Sequence, residues 1–158
     1  MADFTFILVI AATAVHGIAI GATLDQSIKQ LPARHRMGVV AYSAYSRAAD
    51  MGNGLIWYPI LGISTVLLNI AAALAAIFQN IDSTHATPIF IAAVLSILTM
   101  LITGIRAAPI MWSQRRYTND EQALAAVFRR FEHWQTLRSL VELLTFGAVL
   151  WALVTFLR

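Results

Sequence analysis

The sequence predicts an all-α polytopic membrane protein: a bundle of four transmembrane helices with amphipathic cytoplasmic connecting helices. Three observations predict it. The first is composition. Hydrophobic residues make up 59% of the chain and charged residues 12%, against about 25% charge in an ordinary soluble domain. The second is segmentation. Four apolar stretches have spanning length, at about 4–24, 54–78, 88–112 and 137–157. The third is the charge of the connections. Lys29, Arg34, Arg36 and Arg47 lie between the first two stretches, and Arg115, Arg116, Arg129 and Arg130 between the last two. The short middle connection, residues 79–87, carries Asp82 and no Lys or Arg. A length of 158 residues suits a single domain of this kind.

Each element follows from its own residues. Only Asp3 precedes the apolar core of the first stretch. It therefore lacks the positive start of a secretory signal and reads as a retained span. Met37 to Met51 sets Tyr42 and Tyr45 among small residues and reads as a helix that runs into the second span, kinked near Gly52 and Gly54. The third span carries Arg106 near its end. Asn119 and Asp120 form a cap signal for a helix that feeds the fourth span. The arginines of that helix, with Phe128, Phe131 and Trp134, suit the lipid headgroup level. Four segments are too few and too apolar for a barrel, which leaves helices as the spanning structure.

The positive-inside rule places both basic connections in the cytoplasm and both termini on the outer, periplasmic side of a bacterial inner membrane. Membrane lipids are the expected partners. A basic patch beside four spans points to anionic lipid, not nucleic acid. Cysteine is absent, which excludes disulfides, thiolate metal sites and cysteine nucleophiles. No GxSxG turn and no phosphate-binding glycine loop occurs.

Function is written in the polar residues inside the apolar stretches. Arg138 and Glu142 stand four residues apart within LRSLVELLTFGAVLWALVTFL and share a helix face. Ionisable groups at that depth mark functional sites, or else a self-satisfied salt bridge that fixes packing. His16 lies beside Thr13, Gly17 and Gly21, a row of small residues that suits close helix packing and self-association. Asn53, Trp57 and Ser64 fall on one side of the second span, with Tyr58 adjacent. Ser96, Thr99, Thr103 and Arg106 make one stripe on the third.

Counted at 1.5 Å per residue from the basic ends, His16 and Thr103 lie roughly 13 Å deep and Glu142 about 12 Å. Tyr58 is slightly shallower. Arg138, Arg106, Asn53 and Asp50 lie between that level and the cytoplasm. Convergence of these groups would make a polar pocket in the cytoplasmic half of the bundle. His16 with Glu142, joined by His133 or Asp50, would be the donors for iron, copper or zinc. No HxxxH or ExxH pair supports such a site. His35 and His85 fall on opposite sides of the membrane, so a two-histidine haem is poorly supported. The cofactor stays open between none and iron, copper or haem.

Three stretches carry a family likeness: GATLDQSIKQLPAR after the first span, YSAYSRAADMGNGLIWYP into the second, and HWQTLRSLVELLTF at the fourth. Together they resemble the anthrone-oxygenase-like proteins, small four-helix membrane proteins of bacteria and fungi. Gln135 stands where that pattern is more Asn-like. His16–Gly17 and Gly21 also resemble the start of copper-resistance-type membrane proteins. The first resemblance implies oxygen chemistry on a hydrophobic, anthrone-like aromatic small molecule. That reaction needs a base and cations to hold an oxyanion. His16 or Glu142 would be the base, with Arg138 and Arg106 stabilising charge. Trp57 and Tyr58 would stack on the rings, and Asn53, Thr103 and Trp134 would complete the substrate contacts. The alternatives are a non-enzymatic accessory subunit, a lipid or ligand binder, or a haem- or metal-binding membrane protein.

Overall fold

The computed structural model describes residues 4–158. Asp3, on which the reading of the first stretch as a retained span rests, lies outside them. Among the described residues every regular element is a helix: α1 (Phe4–Asp25), α2 (Leu31–Met37), α3 (Val39–Ala48), α4 (Gly54–Phe78), α5 (Ser83–Ile102), α6 (Ala108–Ser113) and α7 (Glu121–Phe156). These join into four long helices, each apolar enough to cross a membrane: Phe4–Met37, Val39–Phe78, Ser83–Arg116 and Glu121–Phe156. The protein is an all-α four-helix bundle.

The four helices form a ring in which α1 and α5 each pack between α4 and α7. The chain reverses at every connection. Near the termini, Val9 of α1 meets Ala72, Ala73 and Ala76 of α4, Ala86, Ile89 and Ala93 of α5, and Ala152 of α7. Alanine dominates this cluster because lipid supplies no hydrophobic drive between helices. Small side chains allow the close backbone approach that dispersion requires. One turn deeper, Asn69 of α4 hydrogen-bonds His16 of α1 at 2.7 Å, both side chains buried.

A helix of 34 residues reaches about 51 Å, well past a hydrocarbon core of roughly 30 Å. The surplus lies at the opposite, basic end, where a second core forms. Leu31, Tyr42, Met51, Ala107, Met111, Leu124, Phe128 and Phe131 build it. Tyr42 and Phe128 meet edge to face with centroids 4.9 Å apart. Phe128 and Phe131 are therefore core residues, not headgroup anchors. The four helices overshoot together, and their aromatic residues cover one another.

Local chemistry sets the helix ends. Asp120 caps α7 by accepting from the Ala123 amide at 2.9 Å. Asp82 caps α5 by accepting from the Thr84 amide at 2.8 Å. That cap starts α5 at Ser83, five residues before Pro88, where the sequence places the span's beginning. Gly38 separates α2 from α3 at φ +83°, a backbone region that glycine enters without strain. The kink expected near Gly52 is present, with Gly52 at φ −92° and ψ −113°. The Thr13, Gly17, Gly21 row does not form an internal seam. Both glycines are exposed, and a methyl group on either would meet nothing closer than 4.0 Å.

Candidate functional site

All four long helices lose regularity at the basic end or contribute a polar face there. A π-helical turn, Gln26–Gln30, joins α1 to α2. A second, Thr103–Ala107, joins α5 to α6. Each ends two residues before a proline, Pro32 or Pro109. Proline lacks the N–H and crowds the carbonyl four residues back, which favours the wider turn. The broken turn at Ala49–Asn53 separates α3 from α4. Between these irregular turns and α7 lies a cavity of about 290 Å³.

Each irregular turn gives the cavity part of its wall: Gln26 from the first, Asp50 and Met51 from the broken one, and Thr103, Gly104 and Ala107 from the third. Arg138 and Glu142 project from α7, Thr23 from α1 and Tyr58 from α4. The rest is mostly apolar. Leu55, Ile63 and Trp112 belong both to this wall and to the exposed outer surface, so the cavity opens sideways between α4 and the α5–α6 helix.

Arg138 and Glu142 share the cavity but do not form an ion pair. Among the described residues the ion pairs are Lys29–Asp25, Arg34–Glu132 and His85–Asp82. Arg138 instead reaches Thr23 Oγ1 and Gln26 Oε1 through Nη2, both at 3.5 Å, the weak edge of hydrogen bonding. Its Nε is buried with no partner. Glu142 is 8% exposed and accepts from the Thr23 hydroxyl at 3.0 Å through Oε2. Asp50, also 8% exposed, accepts from Ser46 at 2.7 Å and from the Tyr58 hydroxyl at 3.5 Å. One guanidinium and two carboxylates thus face one largely apolar hollow, each held by hydroxyl or amide groups and not by one another. A self-satisfied Arg138–Glu142 bridge is not what this helix face makes.

No protein-family model matches this chain, and no curated protein or solved structure matches it either. The three stretches singled out in the sequence can still be placed on the structure. Their positions are informative: Thr23 and Gln26 come from the first motif, Asp50, Met51, Gly54 and Tyr58 from the second, and Arg138 and Glu142 from the third. All three motifs wall the same cavity.

Of the other sequence candidates, Thr103 lines the cavity with Ser96 and Thr99. Their hydroxyls donate to carbonyls of their own helix, at 2.8, 2.9 and 3.1 Å respectively, and so do not bridge helices. His16 lies outside the wall. Its Nε2 meets Asn69 and its Nδ1 is buried without a partner. Asn53 and Trp57 are exposed on the outer surface, Trp57 by 63%. Arg106 leaves its stripe because the Thr103–Ala107 turn takes up an extra residue and breaks the 3.6-residue register. It sits over the Trp134 ring, 5.5 Å from the centroid, in a separate hollow.

Thr23 and Gln26 also line the cavity and are not among the sequence candidates. Thr23 lies seven residues after His16, on the same helix face, and was legible by that spacing. For a metal, the donors do not fit. Among the described residues no three of His, Cys, Asp and Glu come together, and His16 and Glu142 do not share the cavity.

Proposed function

We propose that this chain is a membrane-embedded oxygenase for a flat, hydrophobic, anthrone-like ketone, which reaches the cavity from the lipid through the α4/α5–α6 opening. The observation that carries this reading is Arg138. Among the described residues it has no carboxylate partner, and its Nε is buried and unpaired, on the wall of a mostly apolar cavity that Glu142, Asp50 and Tyr58 also line. A buried polar donor left unsatisfied calls for an explanation, and an oxyanion supplies one.

In this mechanism Glu142 takes a proton from the methylene carbon opposite the substrate ketone. The resulting carbanion is delocalised onto the ketone oxygen, where Arg138 holds the negative charge. Molecular oxygen accepts electrons from that carbon and bonds to it. The hydroperoxide formed loses water, with cleavage of the O–O bond and of the second C–H bond. The balance is one CH₂ group and one O₂ giving one C=O group and one H₂O. Glu142 gives the first proton to the peroxide and, after taking the second C–H proton, gives that one to the departing hydroxide; Tyr58, which donates to Asp50 at 3.5 Å, lines the same cavity. In this reading the basic end faces the cytoplasm of a bacterial inner membrane.

The test is oxygen uptake with an anthrone by protein in lipid nanodiscs, read against quinone absorbance and against empty nanodiscs. One O₂ consumed per quinone is expected. Turnover no faster than in empty nanodiscs sinks the reading. Saturable anthrone binding without turnover would assign the cavity to a ligand-binding protein.

A further inference from the structure

Arg106 and Trp134 leave the main cavity for a second hollow of about 260 Å³, and its chemistry is different. Arg106 and Arg130 line it, with Ile105, Pro109, Ile110 and Trp134 as apolar wall. Both arginines are exposed, and among the described residues neither belongs to an ion pair or donates a hydrogen bond. Arg106 has only the face of the Trp134 ring beneath it, which orients the guanidinium without neutralising it. No carboxylate lines the hollow. Two unneutralised guanidinium groups in one recess form a site for an anion, and their planar forks match the oxygens of a phosphate. The hollow lies at the basic end of the α5–α6 helix and α7, and in a bilayer spanned by these four helices that end meets the membrane surface. That is the level of tryptophan belts and of lipid phosphates.

We infer that this hollow binds a phosphate group, of the kind an anionic phospholipid headgroup presents at the membrane surface. The apolar wall suits the glycerol and first acyl carbons below that phosphate. The site is separate from the proposed oxygenase cavity, so failure of one reading leaves the other standing.

The experiment offers nanodiscs of equal phosphatidylglycerol and phosphatidylcholine and counts retained lipids by native mass spectrometry. A parallel arm titrates the lipid-free, detergent-solubilised protein with inorganic phosphate and follows thermal stability. Wild type should retain phosphatidylglycerol in preference. Arg106→Gln and Arg130→Gln should each lower that preference roughly fivefold, at about one charge contact each. The double variant should abolish it. Arg129→Gln removes an equally exposed arginine that does not line the hollow and should leave it unchanged. Arg106→Lys, which keeps the charge and loses the fork, should fall between Arg106→Gln and wild type. Arg130 has no hydrogen-bond or ion-pair partner to lose among the described residues and Arg106 loses only its place over the Trp134 ring, and unchanged helical circular dichroism checks that the variants fold. Stabilisation by inorganic phosphate without lipid preference supports the phosphate site and assigns it a soluble ligand. Equal retention of both lipids with no response to phosphate overturns the proposal, as does a double variant that holds phosphatidylglycerol like wild type.

Discussion

The two halves of the bundle use the same four helices to opposite ends. Toward the termini, alanines of α4, α5 and α7 close on Val9 and Ile89, and these residues are at most 9% exposed. Toward the basic end the same helices stand apart around about 290 Å³ and turn two carboxylates and a guanidinium into the gap. Side-chain size does not explain this, since the hollow half has the larger residues. The difference lies in the backbone. Two π turns and a broken turn fall in the hollow half and supply part of the cavity wall. Gly54 shows how tightly that wall is set. A methyl group there would sit 3.0 Å from the Ala49 carbonyl and 3.0 Å from the Tyr58 ring, pressing a cavity residue out of place.

The sharpest way to break this comparison is to remove charge from the hollow half. Arg138→Gln and Glu142→Gln should each cost about a hundredfold in quinone formation, the scale of a lost oxyanion donor or base, while the melting temperature stays near wild type. Loss of fold in place of loss of turnover would make these groups structural. Filling the tight half should do the reverse. Ala72→Leu, at a residue 1% exposed, should cost about 1–3 kcal/mol by overpacking. Gly62→Ala, on the cavity wall with nothing within 4 Å of the added carbon, should gain about 0.5–1 kcal/mol. Unfolding of both variants in one detergent measures the contrast, and a costless Ala72→Leu would end it.

A smaller effect is expected at the seam between the halves. His16 and Asn69 join α1 to α4 just beyond the deep end of the cavity. A double-mutant cycle on His16→Ala and Asn69→Ala should give a coupling of about 0.6 kcal/mol, the average for polar pairs inside membranes. Turnover should be unaffected. A large loss of turnover in His16→Ala would return this residue to the chemistry.

The spans, the Asp120 cap and the Gly52 kink were legible because apolar length, cap chemistry and glycine act locally. The shared cavity of Arg138, Glu142, Tyr58 and Thr103 was partly legible, through depth alone. Azimuth was hidden. Periodicity assumes 3.6 residues per turn, and a π turn within the counted stretch voids the count, which is why Arg106 lines a different hollow from Thr103. Trp57, 63% exposed, faces outward, and that was hidden for a related reason. A tryptophan in a spanning helix serves lipid as readily as a ring-shaped ligand, and sequence cannot tell which flank faces out. Phe128 and Phe131 looked like headgroup anchors because the surplus helix length at the basic end builds a core that no single segment reveals.

The mildest prediction concerns the loop that closes the tight half, where Asp82 caps α5 and pairs with His85. Desolvation pulls this carboxyl upward, but hydrogen bonds from the His85 ring and the Thr84 amide outweigh it and hold the group below the ordinary aspartate value. A carboxyl whose folded value lies below its unfolded value stabilises the fold above the unfolded value, near pH 4. That contribution disappears as pH falls through the folded value. Thermal melts below about pH 4 should therefore show a small acid-dependent loss. Asp82→Asn keeps a capping side chain but has no carboxyl to protonate, and it should remove that part of the pH dependence while leaving the helix start in place. Equal acid slopes in the two proteins would mean that the carboxylate at the loop adds nothing to the closure of the alanine-packed half.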